Sequence, residues 1–361
     1  MHAASPASPH VAILTGGGDC PGLNAVIRAV TLALRRRCGA RISGIERGFH
    51  GLVTRRVRPL KEADVAGILA EGGTILGTHN RCDPFDWEGA DRSAEIMRYV
   101  RGDLGLDALV AIGGDGTMRM AERFQKLGLP VVGVPKTIDN DLPLTDRCFG
   151  FDSAVAVVAE ALDRLATTAR SHGRVMILET MGRNAGWIAL EGGLAGGADA
   201  ILIPELPVSV QALAQRAHER ELDHGGVGAS LLVCIAEGVR LDGEAPVRQR
   251  TADVNEPIRL GGVGQLLQQR LAPLVSCEVR STLLGHVQRG GTPTAFDRVL
   301  ATRYGVHAAD LVAEGRFGRM VALQGDHVTS VPLSEVAGAS RSVPLDHELL
   351  RAARGTGVLL G

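Results

Sequence analysis

Aromatic residues are scarce in this chain, at 3% of 361 residues, while glycine reaches 47. That balance points to many tight turns and close backbone approaches, as in α/β folds with short loops. An excess of charge of one sign is also missing: Lys plus Arg is 39 against 40 for Asp plus Glu, a formal net charge of -1. No broad basic field exists for nucleic acid or an anionic membrane, and neither is expected as a partner. A phosphorylated small molecule needs only a local cluster of arginines. No apolar run reaches the ~18 residues of a spanning helix. Residues 1–9 are Ser/Pro/Ala-rich and lack the charged start and apolar stretch of a signal peptide, so they read as a disordered lead-in to a soluble, cytoplasmic protein. The six cysteines (Cys20, Cys38, Cys82, Cys148, Cys234, Cys277) form no Cys-x-x-Cys pair, which favours buried or incidental thiols in a reducing compartment over disulfides or a metal site.

With 361 residues the chain exceeds the roughly 250 to 300 at which a single core stops growing, so it is long enough for two domains, with one large domain as the alternative. Short apolar, β-rich runs at 10–15, 42–45, 108–112, 131–134, 175–178, 200–203, 231–236 and 279–284 predict strands. Helical patterns follow the first of these to about residue 37, then at 91–104, from 117 to about 127, and at 153–169. The alternation argues for parallel sheets with crossover helices.

The polar residues that matter follow the strands. Residues 16–24 read Gly-Gly-Gly-Asp-Cys-Pro-Gly-Leu-Asn between strand and helix, a layout that aims backbone N–H groups and a positive helix end at an anion. It is not a Walker loop, because Leu23 stands where Lys is needed, nor a dinucleotide fingerprint, because Pro21 replaces the third glycine. A second strand opens into Gly-Gly-Asp-Gly-Thr at 113–117. A third opens into Pro-Lys-Thr-Ile-Asp-Asn-Asp at 135–141, where two carboxylates beside a lysine and a threonine suit deprotonation of a hydroxyl next to a bound phosphate. Alone, that stretch also reads as a polar turn built on Asx hydrogen bonds. Met181-Gly182-Arg183, Glu237-Gly238 and the stretch 284–291 (Leu-Gly-His-Val-Gln-Arg-Gly-Gly) likewise follow strands, the end at which open α/β sheets bind ligands.

Together with Gly-Phe-Asp-Ser-Ala at 150–154, these motifs in this order resemble the 6-phosphofructokinase family over roughly residues 10 to 310. The resemblance implies two similar Rossmann-like three-layer domains with mainly parallel sheets and the active site in the cleft between them. Residues 1–150 plus about 288–340 would bind nucleotide; residues 151–287 plus about 341–361 would bind the sugar phosphate. It implies transfer of phosphate from Mg-ATP to the 1-hydroxyl of fructose 6-phosphate, with Asp139 as the base and Asp115 holding Mg²⁺. Gly18, Arg81, Cys82, Gly114, Asp115, Gly116 and Thr117 would line the ATP. Thr137, Ile138, Asp139, Met181, Gly182, Arg183, Glu237, His286 and Arg289 would hold the sugar phosphate, with Thr137 and Arg183 also serving catalysis. Arg174 and Arg280 match positions that family members lend to a neighbouring subunit, which implies a homodimer or homotetramer.

Donor choice turns on two positions. Pyrophosphate-using members typically carry Asp where Gly116 stands and Lys where Lys136 stands, whereas many bacterial ATP users carry Gly at both. A carboxylate at position 116 would crowd and repel the α-phosphate of ATP, and Lys136 can pair with a phosphate of either donor, so ATP is expected and pyrophosphate is the alternative. A catalytically silent sugar-phosphate sensor is the alternative of another class, disfavoured by the presence of Asp115, Asp139 and Arg183. Residues 223–229 contain no lysine or arginine where allosteric members are lysine-rich, so control by ADP or phosphoenolpyruvate there is expected to be weak or absent.

Overall fold

The structure is a computed structural model that describes residues 8–223, 230–249 and 259–361. Residues 224–229, within the segment expected to lack an effector site, lie outside the described residues. The strands in chain order are β1 (His10–Thr15), β2 (Arg41–Ile45), β3 (Val57–Pro59), β4 (Ala108–Gly113), β5 (Val131–Pro135), β6 (Val175–Thr180), β7 (Ala200–Leu202), β8 (Leu231–Ala236), β9 (Arg248–Gln249), β10 (Arg259–Leu260), β11 (Val279–Leu283), β12 (Arg319–Gln324), β13 (His327–Pro332) and β14 (Leu359–Leu360). They divide between two compact units: residues 1–137, 142–152 and 289–340 in the first, and residues 138–141, 153–288 and 341–361 in the second.

The first unit holds a sheet in the order β13-β12-β5-β4-β1-β2-β3. β12, β5, β4, β1 and β2 run parallel, and β13 and β3 close the edges antiparallel. Every residue of β1, β4 and β5 is buried, as expected of central strands covered on both faces. Ala12, Leu14, Leu109, Ala111 and Val131 share one apolar cluster with Met118, Ala121 and Phe124 of helix Asp115–Lys126. Helix Leu23–Cys38 packs against helix Ala295–Ala313, where a Cβ on Gly305 would lie 2.6 Å from that of Ala29. The small residue permits that close approach.

The second unit holds the all-parallel sheet β11-β6-β8-β7-β14. β6, β7 and β8 are buried throughout. In helix Trp187–Ala195, a Cβ on Gly192 would meet Val158 of helix Phe151–His172 at 2.6 Å. β9 and β10 form a separate antiparallel pair.

The α/β class, the mainly parallel sheets and the strands expected from apolar runs are present. Six strands were not anticipated, the short β9–β10 pair among them. The β12–β13 hairpin extends the first sheet beyond β5, and its signal was the Gly325-Asp326 turn between apolar runs. β3 and β14 are edge strands of three and two residues, too short to show a period. The helix expected over 91–104 is instead a short α-helix, Ser93–Arg98, continued by a wider turn at Tyr99–Asp103.

Candidate active site

In the first unit, β1 runs into a loop whose shape depends on glycine. Gly17 has φ +75 and Gly22, the N-cap of helix Leu23–Cys38, φ +103; a Cβ on Gly22 would come within 2.8 Å of the Phe149 ring. Three side chains converge on the loop carbonyls. Thr78 Oγ1 donates to Gly17 O, Lys136 Nζ to Gly18 O, and Arg289 Nη1 to Asp19 O at 3.2 Å. Anchoring the carbonyls in this way fixes the loop. Lys136 is buried and Arg289 half-buried. Arg289, expected on the sugar phosphate, is therefore joined to the Gly18–Asp19 turn.

β4 ends in Gly113, where a Cβ would overlap Thr117 Oγ1 at 2.2 Å, so glycine is required for the helix to start there. Thr117 Oγ1 is buried without a hydrogen-bond partner. A Cβ on Gly114 would lie 3.3 Å from Lys136 O and 3.9 Å from Thr137 Cβ, which places the 113–117 and 135–137 turns side by side. Around Gly116 a Cβ would meet nothing within 4 Å. Asp115 Oδ1 accepts the Gly338 N–H at 2.9 Å, which orients the carboxylate at the first turn of its helix. Among the described residues no group of three or more His, Cys, Asp or Glu could hold a metal ion alone. A single hard carboxylate is nonetheless a suitable donor for Mg²⁺, which takes one or two carboxylates together with phosphate oxygens.

Arg81 is exposed, and its N–H points to His79 Nδ1 at 3.2 Å. Cys82 is buried, and burial followed by the nearby Asp83 pushes its thiol up to about 12, so it is no thiolate nucleophile. His79 stacks on His50 at 4.7 Å, with Trp87 edge-on to both. The charges of neighbouring groups add to desolvation, the larger cause, in lowering the affinity of His79 for a proton. The sequence reading did not single out this cluster.

In the second unit, Asp139 is 4% exposed, and Arg183 Nε lies 3.9 Å from its Oδ2. Arg183 sits at φ 52 after Gly182 at φ 141, a turn that the sequence reading saw only as a motif. Glu237 fixes it: its Oε1 accepts the Arg183 N–H at 3.0 Å. A Cβ on Gly238 would strike Arg183 O at 2.0 Å. Burial pushes the Glu237 carboxyl up to about 7, opposed by the Arg183 N–H and reinforced by the charge of Asp139. Glu179, not foreseen, ends its oxygens on Gly262 N and Gly264 N, both at 2.8 Å, and so anchors the start of helix Val263–Leu271. Burial raises its pKa as well.

Arg174 and Arg280 share Glu278 as their ion-pair partner, across the neighbouring strands β6 and β11. Partial desolvation works against ionisation of Glu278, yet the two arginines hold its carboxyl below the ordinary value. Ile138 is fully buried, Met181 half-buried, and His286 exposed on the short turn Gly285–Arg289. The structure thus joins Gly18, Gly114, Lys136, Thr137 and Arg289 in the first unit, and Asp139, Gly182, Arg183 and Glu237 in the second.

Residues 10–312 match the family described as Phosphofructokinase. The chain belongs to the phosphofructokinase family. It is 46% identical over 358 residues to "ATP-dependent 6-phosphofructokinase 2" of Clostridium perfringens, covering 96% of this chain and 97% of that protein. It is 50% identical over 335 residues to "Pyrophosphate--fructose 6-phosphate 1-phosphotransferase" of Amycolatopsis methanolica, covering 92% and 96%. Among solved structures it is similar to the Pichia pastoris phosphofructokinase in the T-state, with TM-score 0.77 and 33% identity over 92% of this chain and 38% of that one. The fold is also that of the pyrophosphate-dependent phosphofructokinase from Marinobacter aquaeolei, at TM-score 0.80 and 21% identity over 97% and 92% of the two chains. As a phosphofructokinase, the chain has relatives of similar identity with either donor in their names, so donor choice rests on individual residues. Among the described residues no helix is long and apolar enough to cross a membrane.

Proposed function

We propose that this chain phosphorylates fructose 6-phosphate at its 1-hydroxyl, using ATP and giving fructose 1,6-bisphosphate and ADP, in the cytoplasm. The observation that carries the reading is the buried Asp139 with the Arg183 guanidinium beside it, on a turn clamped by Glu237. Phosphoryl transfer asks for alignment and charge neutralisation more than covalent chemistry. Asp139 takes the proton of the attacking hydroxyl as the bond to phosphorus forms. Arg183, beside that carboxylate, offers donors to the transferring group, and Thr137 helps to orient that group. Ile138, Met181, Gly182, Glu237 and His286 contribute to binding of the sugar phosphate, and Arg289 is assigned to the same ligand. The planar forks of Arg174 and Arg280 suit a phosphate monoester, and we assign them to the site of a neighbouring subunit in a homodimer or homotetramer.

On the donor side, Gly18, Arg81, Cys82 and the 114–117 turn receive the nucleotide, with backbone N–H groups and the helix N-terminus meeting phosphate oxygens. Asp115 would hold Mg²⁺, which would neutralise charge on the donor phosphates. The open space at Gly116 supports ATP. Pyrophosphate is the second reading, favoured by Lys136, whose ammonium lies against the Gly18 turn. Assaying purified protein with ATP and pyrophosphate side by side decides between them: turnover with ATP is expected, and preference for pyrophosphate overturns the assignment of Gly116. No transfer with either donor would leave the sensor reading.

A further inference from the structure

Asp139 belongs to a segment, residues 138–141, that crosses into the second unit and is held there by a residue about two hundred positions later. Asn140 stands at φ 51, a left-handed conformation that asparagine tolerates better than other non-glycine residues and that its surroundings here impose. Arg341 supplies that imposition twice. Its backbone N–H donates to Asp141 O at 2.7 Å, and its Nη2 donates to Asn140 O at 3.0 Å.

Arg341 is in turn fixed by the segment that carries Arg183. Its guanidinium lies 4.6 Å over the Trp187 ring, and Trp187 Nε1 donates to Arg341 O at 3.2 Å. Two residues on, Val343 N donates to Glu205 Oε1 at 2.8 Å, and the same oxygen accepts Gly186 N at 2.9 Å. His347 meets the edge of the Trp187 ring at 5.0 Å. The stretch 341–347 therefore ties the Asp139 segment to the 183–187 turn, and both ends of the 3.9 Å Asp139–Arg183 pair rest on it.

We propose that Arg341 is a positioning residue for phosphoryl transfer: by holding the Asn140 and Asp141 carbonyls while stacked on Trp187, it sets the orientation of the Asp139 carboxylate toward Arg183 and the acceptor hydroxyl. The proposal rests on the reading of Asp139 as the base. Only arginine suits the position, because one planar group must both stack on an indole and donate sideways to a carbonyl. The ammonium of lysine cannot do both.

The test uses the full-length enzyme with saturating fructose 6-phosphate and whichever donor the wild type prefers. Arg341→Ala is expected to lower kcat by about tenfold or more while KM for fructose 6-phosphate stays within about threefold, because misplacing a catalytic group costs rate rather than affinity. Arg341→Lys should remain as impaired, and free guanidinium ion should restore part of the turnover of Arg341→Ala without raising that of the wild type. A kcat within about twofold of wild type, or a loss that merely tracks the folded fraction seen by circular dichroism, overturns the proposal. Should Arg341→Ala fail to fold, Trp187→Phe keeps a ring under the guanidinium but deletes the N–H to Arg341 O; kcat should fall about threefold at unchanged KM, and no change overturns the proposal. A wild type inactive with both donors strikes the proposed function instead. In that case amide exchange at residues 139–141 still decides whether Arg341 holds the segment: faster exchange in Arg341→Ala sustains the holding role, and unchanged exchange removes it.

Discussion

The two units build the turns at the ends of their strands from different materials. In the first, the turns after β1 and β4 are rich in glycine, and at Gly116 a Cβ would meet nothing within 4 Å. In the second, the turns after β6 and β8 present side chains, and carboxylates brace them: the buried Glu237 on the Arg183 N–H, the half-buried Glu205 on Gly186 and Val343. A triphosphate or pyrophosphate is a string of similar anionic groups that a ring of N–H dipoles can hold. A specific hydroxyl has to be met by one carboxylate at one angle, which calls for a braced side chain. On the proposed function, the difference teaches that a loop's composition reflects the symmetry of what it binds.

Three substitutions would break or sharpen that contrast. The largest effect is expected in the second unit, where Asp139→Asn should lower kcat by roughly 10² to 10⁴-fold with fructose 6-phosphate affinity changed by less than about threefold. A steady-state assay with equilibrium binding checks it, and an active variant removes Asp139 as the base. In the first unit, Gly116→Asp fills open space with charge, so kcat/KM for ATP should fall by about tenfold while that for pyrophosphate moves by at most about twofold. Equal losses with both donors would mean that the space at position 116 does not discriminate between them.

The smallest effect is on stability. The folded protein binds the Glu237 proton more tightly than the ordinary value of 4.5 allows, so this group's contribution is present in full below about 4.5 and is lost as pH rises through about 7. Glu237→Gln should flatten that part of the stability curve, gaining on the order of 2 to 3 kcal/mol at pH 8 relative to pH 4 when compared with wild type. Denaturant melts across this pH range would show it, and an unchanged slope would mean that the carboxyl is not desolvated.

How much of this was legible in the sequence follows from how local each feature is. β1, β4, β5, β6 and β8 were readable because buried parallel strands are short apolar runs, and the glycine turns because strand, loop and helix are consecutive. The β12–β13 hairpin lay beyond the last motif and carries polar residues at its exposed edge, which weakened its pattern. Asp139 and Arg183 were found as motifs, but Arg341, Glu205 and Glu179 were not. Each acts on backbone groups far away in the chain, and such a partner leaves no mark on its own neighbourhood. Arg289 was recognised as functional, while its attachment to Asp19 O, 270 residues distant, was beyond the reach of any local pattern.

The end of the chain is shared between the two units, residues 289–340 belonging to the first and 341–361 to the second. Multidomain chains commonly fold from the N-terminus as they emerge from the ribosome. Here, when Gln288 has been made, the first unit still lacks β12 and β13, and the second still lacks β14 and the Arg341 strap. The order of synthesis therefore cannot be the order of completion. A premature stop anywhere in the final stretch would leave a nascent chain with an unpaired sheet edge, a substrate for chaperones and proteases rather than a shorter enzyme.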